Sequence, residues 1–126
     1  MSKNKYKKKN VFKKKRAEDY RFTDHFFERW NQRIKNPQFD TKKEMGEYIK
    51  KIYPPKSVCY IDGDYYLIDD IIVTCTEDKS NDAVLFVTVY GKVEDNFILY
   101  NILTTEGARG VVKTQKRYGK IELSKY

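Results

Sequence analysis

A histidine and two arginines recur at every fourth position in the segment TDHFFERWNQRI, residues 23–34. On an α-helix, residues four apart lie on one face about 6 Å from each other, so His25, Arg29 and Arg33 form a row. Arginine binds a phosphate through two parallel hydrogen bonds, and histidine exchanges protons near neutral pH. Metal-free RNA cleavage needs a base for the 2′-OH, cations for the developing charge and an acid for the leaving oxygen. The row is therefore a candidate catalytic site of a metal-independent ribonuclease.

Two other interpretations of this row remain open. The arginines could contact nucleic acid without any cleavage, or the row could be the solvated back of a core helix, where Asp24 and Glu28 pair with the arginines. An apolar line at the same spacing predicts the core face of this helix: Phe22, Phe26, Trp30 and Ile34.

The net charge of +8 is distributed unevenly along the 126 residues. Residues 1–16 carry nine Lys or Arg and no acidic residue, whereas residues 57–106 carry two lysines against ten acidic residues. Residues 107–126 carry six basic residues and one acidic residue. A strongly acidic middle between basic ends excludes a uniformly basic nucleic-acid-binding protein.

Residues 1–16 are predicted to form a flexible basic arm, because like charges repel and few apolar residues are present to anchor it. A Lys-rich segment gains affinity for polyanions by releasing counterions, without reading sequence. The alternatives are a tail that only aids solubility and a segment that attaches to an anionic membrane. The expected nucleic-acid contacts in the arm are Lys7, Lys8, Lys9, Lys13, Lys14, Lys15 and Arg16.

Residues 17–126 are predicted to form a single α+β domain. The first helix spans roughly residues 24–35, with Thr23 as its cap and Asn36-Pro37 at its end. The second helix begins with a capping box at Thr41 and Glu44 and ends before Pro54-Pro55. Its apolar residues follow helical spacing: Met45, Tyr48, Ile49 and Ile52.

Five strand-like runs with short connections follow the helices. They are the two halves of SVCYIDGDYYLIDD around Asp62-Gly63, then IIVTCT, AVLFVTVY and FILYNIL. Short connections favour an antiparallel meander. The predicted architecture is therefore two N-terminal helices packed on a four- to five-stranded antiparallel sheet.

The last segment, TTEGARGVVKTQKRYGKIELSKY, is compatible with two structures. A helix over residues 105–119 would place its basic residues on one face, although Gly107 and Gly110 disfavour a helix. A turn followed by the strand GVVKTQ is the alternative. The candidate nucleic-acid contacts here are Arg109, Lys113, Lys116 and Arg117.

The acidic middle offers no clear metal site. Carboxylates suit a divalent cation, but Asp62-Gly63-Asp64 and Asp69-Asp70 are better explained as turns. Cys59 and Cys75 are expected to be buried thiols, and no cysteine pair has zinc spacing. The chain lacks a Gly-rich phosphate loop and a nucleophile elbow. No metal and no cofactor are therefore expected.

The Thr-x-His-x-x-x-Arg-x-x-x-Arg pattern of Thr23, His25, Arg29 and Arg33 resembles a group of small bacterial and phage proteins. These proteins look like relatives of the RelE/ParE toxin superfamily. GDYYLIDDIIVTCTE followed by LFVTVYG is similar to the paired strands of that group, and the resemblance covers residues 20–91. The acidic sheet region departs from the pattern of the toxins.

The resemblance implies two N-terminal helices against a curved antiparallel sheet. It also implies RNA cleavage on the ribosome, which in the toxins uses basic residues and sometimes a tyrosine on the sheet and the C-terminal segment. One cluster in this sequence could supply these residues: Arg109, Lys113, Lys116, Arg117 and Tyr118.

Together these patterns predict a small nucleic-acid-binding protein, with RNA favoured over DNA as the partner. No membrane span or secretory signal is visible, so a cytoplasmic location in a bacterium or a phage-infected cell is expected. One alternative is a non-enzymatic phage or mobile-element protein that inhibits a host protein through the acidic region 62–95. Another is a self-associating virion component whose basic arm neutralises packaged DNA.

The ribonuclease hypothesis makes a direct prediction. RNA cleavage by the purified protein should persist in EDTA, because no metal takes part, and should disappear in His25→Ala, because the proton-transfer group is gone. A gel-based assay of a labelled RNA measures both effects. Cleavage that survives His25→Ala would contradict the assignment of His25.

Overall fold

The computed structural model describes residues 10–106, which form three α-helices and one five-stranded sheet. The helices are α1 (Asp24–Arg33), α2 (Lys42–Ile52) and α3 (Phe97–Glu106). The strands are β1 (Tyr20–Phe22), β2 (Val58–Asp62), β3 (Tyr65–Ile68), β4 (Ile71–Asp78) and β5 (Ala83–Lys92). The strand order is β1-β5-β4-β3-β2, with β1 parallel to β5 and the other neighbours antiparallel. The predicted α+β class is confirmed.

Side-chain caps begin the two N-terminal helices, as their sequences predict. Thr23 Oγ1 accepts the Phe26 N–H at 2.9 Å, and Thr41 Oγ1 accepts the Glu44 N–H at 3.1 Å. The first helix ends at Arg33, slightly earlier than expected. Within residues 10–106, no helix combines the length and the apolar character needed to cross a membrane.

Tight turns connect the three strands β2, β3 and β4, and both turns use aspartates predicted for that role. Gly63 and Asp64 join β2 to β3, where Asp62 pairs with Tyr65 and Gly63 has a φ of +58°. Asp69 and Asp70 join β3 to β4, with Asp69 in the left-handed region at φ +58°. Short polar side chains and glycine tolerate this backbone, which is why the local sequence identifies these turns.

The expected fifth antiparallel strand, FILYNIL, is instead the helix α3. Tyr100 and Leu103 of α3 are buried against Leu67 and Ile72, on the sheet face opposite α1 and α2. A short run that is apolar on every side has no periodicity to separate a strand from a helix. The fifth position in the sheet belongs to β1, which pairs in parallel with Val84–Phe86.

The main core lies between the sheet and the pair α1 and α2. Phe26, Trp30 and Ile34 of the predicted apolar line are at most 1% exposed, which confirms that line as the core face. Met45 and Ile49 of α2 join the same cluster. Burial raises the pKa of the Cys75 thiol within this core, and Cys59 is half-buried, with neither cysteine in a disulfide.

Phe12 belongs to this core, although the sequence assigned it to a flexible arm. Its side chain is 3% exposed and makes edge-on contacts with Tyr20, Tyr66 and Phe86, with ring centroids 5.0–5.7 Å apart. The Val11 N–H donates to Tyr66 Oη at 2.9 Å. The packed chain therefore begins before residue 17, where the sequence placed the start of the domain.

The anchoring role of Phe12 can be tested by truncation of its side chain. Phe12→Ala should lower the free energy of unfolding by about 3–5 kcal/mol, because a buried aromatic ring is lost and a cavity remains. Urea unfolding followed by Trp30 fluorescence measures the change. The neighbouring, exposed Lys13→Ala should stay within about 0.5 kcal/mol of the parent. Equal stability of the two variants would place Phe12 outside the core.

Candidate nucleic-acid interface

A groove of about 640 Å³ lies between the anchored N-terminal segment and the connection from α2 to β2. Its lining includes five cations: Lys13, Lys14, Lys15, Arg16 and Lys56. No carboxylate belongs to the lining. We call this feature the basic groove. It brings four of the sequence-predicted contact residues, Lys13 to Arg16, together with Lys56, which the sequence did not single out.

A backbone turn above the buried ring of Phe12 positions the exposed lysines of the groove. The Lys13 N–H donates to Asn10 O at 3.3 Å, and the Lys15 N–H donates to Phe12 O at 3.2 Å. Lys14 has a φ of +61°. The turn holds Lys13 and Lys14 at the surface, so their charges are presented from a fixed backbone.

Lys15 and Arg16 are less available than the other cations. The Lys15 Nζ lies 3.2 Å from Asp82 Oδ1, and only 11% of the Lys15 side chain is exposed. An Arg16 Nη1 lies 3.8 Å from Glu18 Oε2. Lys13, Lys14 and Lys56 are exposed and make no ion pair with residues 10–106. These three lysines are therefore the cations best placed to meet a phosphate.

The opposite wall of the groove is the turn Pro54–Ser57. The Ser57 N–H and Oγ–H both donate to Pro54 O, at 2.9 and 2.7 Å. The Tyr20 hydroxyl donates to Tyr53 O at 2.7 Å and ties this wall to β1. Burial raises the pKa of Tyr53 to about 12.

The row of His25, Arg29 and Arg33 lies on α1, but its members have different surroundings. His25 is exposed in the first turn of the helix. Arg29 Nη1–H donates to Gln32 Oε1 at 2.7 Å, within its own helix. Arg33 Nη1–H donates to Val89 O at 2.8 Å. The structure therefore does not direct these three side chains towards one point.

The pairing of β5 with β4 is irregular at two points. Thr74 and Cys75 pair with Thr88 and Phe86, which leaves Val87 as an extra residue. A second shift between Ile72 and Val73 leaves Tyr90 as an extra residue in the same way. These β-bulges interrupt the regular ladder between β4 and β5.

The two ends of α1 satisfy carbonyls of β5 beyond the end of β1. Thr23 Oγ1–H donates to Val87 O at 2.9 Å, and Arg33 donates to Val89 O. A buried carbonyl without a partner costs free energy comparable to a lost hydrogen bond. Arg33 therefore has a structural role that the sequence pattern did not indicate.

The acidic residues singled out in the sequence are divided between two ends of the sheet. Asp62 and Asp64 flank the start of β3, whereas Asp69 and Asp70 follow its end, so the four residues of the strand, about 13 Å at the rise of a strand, lie between the two pairs. Within residues 10–106, no group of three potential metal ligands is present. These four aspartates therefore do not form a single cluster.

Several predicted contacts lie outside the described residues. They are Lys7, Lys8 and Lys9 in the arm, and Arg109, Lys113, Lys116 and Arg117 near the C-terminus. The two structures predicted for the segment after residue 106 also fall outside the described range, as does Tyr118.

Comparison of the chain with protein-family models, with curated proteins and with solved structures found no match. The similarity of Thr23, His25, Arg29 and Arg33 to the RelE/ParE pattern therefore stays a prediction.

The different partners of the two arginines lead to a paired test. Arg33→Ala should lower the free energy of unfolding by about 1–3 kcal/mol, because the Val89 carbonyl loses its charged donor. Arg29→Ala should change stability by less than about 0.5 kcal/mol, because it loses only an exposed contact within α1. Urea unfolding of both variants gives the comparison. Equal losses would show that Val89 does not depend on Arg33.

Proposed function

We propose that the protein binds single-stranded nucleic acid through the basic groove, with RNA as its main partner. The observation that carries this proposal is the composition of the groove. Five cations line it without any carboxylate, and Lys13, Lys14 and Lys56 have no ion-pair partner in the described part of the chain. A polyanion is the ligand class that such a lining favours.

The expected mode of binding is contact with the phosphate backbone. Each neutralised phosphate releases counterions from the strand, and this release provides affinity without selection among sequences. Pro54 and Pro55 contribute an apolar surface beside the lysines, against which sugar carbons or bases of an unpaired strand can pack. Unpaired strands in the cytoplasm are mainly RNA, and their splayed bases are the part of RNA most open to proteins.

Binding without cleavage has more support than a ribonuclease activity. A phosphate undergoing cleavage must meet the acid, the base and the cations at one place. Arg29 is bonded to Gln32 and Arg33 to Val89, while His25 lies two helical turns before Arg33. An inhibitor that docks through acidic region 62–95 also has less support, because its aspartates lie at both ends of β3.

The salt dependence of binding tests the groove directly. Lys13→Gln/Lys14→Gln should weaken binding of a labelled single-stranded RNA and reduce the slope of log K against log salt by about 1.4, at about 0.7 per phosphate on a single strand. Fluorescence anisotropy over a salt series measures both quantities. Glutamine keeps the length of the side chain and removes only the charge.

The matched control is Lys35→Gln/Lys43→Gln, which removes the same charge from two exposed lysines that do not line the groove. Its slope should stay that of the parent. Equal effects of the two double variants would show that net charge, not the groove, attracts the strand. No effect of Lys13→Gln/Lys14→Gln would remove the groove as the binding site.

The preference for RNA has its own comparison. At one salt concentration, the protein should bind an RNA strand more tightly than a DNA strand of the same sequence. Equal affinities would contradict RNA as the preferred partner and leave the groove as a general site for single strands.

A further inference from the structure

A second cavity, of about 340 Å³, lies where the C-terminal end of α1 meets the end of β5. Its lining is Arg33, Tyr90, Gly91, Asp95 and Asn96, and it shares no residue with the basic groove. The residues combine a cation, an anion, an amide and an aromatic ring. Such a mixture differs from the purely cationic charge of the groove and suits a neutral, polar and planar ligand.

The flat groups of this cavity are held in place. The hydrogen bond to Val89 O fixes the guanidinium of Arg33, whose Cζ lies 5.9 Å from the ring centroid of Tyr90. The Tyr90 ring lies 5.6 Å from that of Tyr65. A hydrogen bond between the two phenols raises the pKa of Tyr65 and joins the rings. Since the Val89 bond uses one donor of Arg33, the other N–H groups remain for a ligand.

Gly91 keeps the cavity open. Its φ of +119° is strained for any residue with a side chain, and a Cβ here would lie 3.0 Å from Asn96 Nδ2. Asn96 is itself fixed, because its Nδ2–H donates to Lys92 O at 2.8 Å. The space beside Arg33 therefore depends on the absence of a side chain at position 91.

The two charges that line this cavity are not bonded to each other. Asp95 is exposed, and its carboxylate makes no ion pair with the residues that the structure describes. A fixed set of donors on Arg33 and a pair of acceptor oxygens on Asp95 therefore border one space. The negative charge of Asp95 disfavours a simple phosphate, which would suit Arg33 alone.

We propose that this cavity binds a guanine base. Guanine carries the acceptors O6 and N7, which match the paired donors of an arginine. Its N1–H and N2–H groups lie on the adjoining edge and can donate to the carboxylate of Asp95. Adenine lacks both O6 and the N1–H, so it matches neither charged group in this way. The planar base also fits against the ring of Tyr90.

This inference rests on the proposed function, because an unpaired guanine in a bound strand is the expected source of the base. A free guanine nucleotide presents the same chemistry. The basic groove would then hold the phosphates of the strand while the cavity selects one base. Sequence preference would come from the cavity, since phosphate contacts carry none.

The first experiment compares short oligouridine strands that carry one central guanosine, inosine or adenosine, with the full chain as the protein. The guanosine strand should bind about tenfold more tightly than oligouridine, because one bidentate contact contributes affinity of about that size. Inosine lacks the N2 amino group and should show a smaller gain. Adenosine should show no gain. Fluorescence anisotropy at one salt concentration gives these ratios.

The second experiment assigns the gain to Asp95. Asp95→Ala should reduce the preference for guanosine several-fold, because the acceptors for N1–H and N2–H are removed while the donors of Arg33 remain. Glu94→Ala is the matched control, since Glu94 is the exposed neighbour and lies outside the cavity lining. It should keep the full preference. Equal losses in the two variants would overturn the guanine site in favour of a general effect of charge.

The remaining outcomes separate the two proposals. Binding of oligouridine with no gain from guanosine would overturn the guanine site and leave the groove intact. Failure of oligouridine to bind, together with Asp95-dependent binding of guanosine monophosphate, would overturn the groove and assign the cavity to a free nucleotide. Binding of neither strand nor nucleotide would overturn both.

Discussion

The aromatic cluster around Phe86 is the interaction on which the rest of this structure depends. Phe86 lies on β5, and its ring is within 5.6 Å of the rings of Phe12, Tyr20, Phe22 and Phe26. These rings come from the N-terminal segment, β1 and α1, so one side chain ties three elements to the sheet. Buried aromatic rings contribute large apolar areas and favour offset-stacked or edge-to-face contacts. The basic groove follows from this cluster, because Phe12 fixes the turn that carries its lysines.

A second constraint is the irregular edge of β5. The strand β1 is short, and α1 satisfies carbonyls of β5 beyond the end of β1, with a threonine at one end of the helix and an arginine at the other. This arrangement sets the direction of α1 along the strand. It also holds the guanidinium of Arg33 near Tyr90, whereas Arg29 bonds to Gln32 and His25 is exposed, so the three residues of the predicted row have different surroundings.

The two cavities have complementary chemical properties. The groove has cations beside an apolar surface, which favours any polyanionic strand, whereas the cavity beside Arg33 has opposed charges that are not bonded to each other. Phosphate attraction is long-ranged and unselective, and base contacts are short-ranged and selective. A protein that uses both can bind many strands weakly and prefer those with a suitable base.

The sequence alone determined the features that depend on neighbouring residues: the capped starts of α1 and α2, the aspartate turns, four strands and the separation of charge. The tertiary structure decided the features in which a segment contacts partners that lie far along the chain. FILYNIL became a helix because it covers a sheet face, and Phe12 joined the core because Tyr66 and Phe86 surround it. Lys56 lines the groove, and Arg33 donates to the Val89 carbonyl, because of contacts that no local sequence pattern encodes. Periodicity records which face of an element is apolar, but not which distant surface that face will meet.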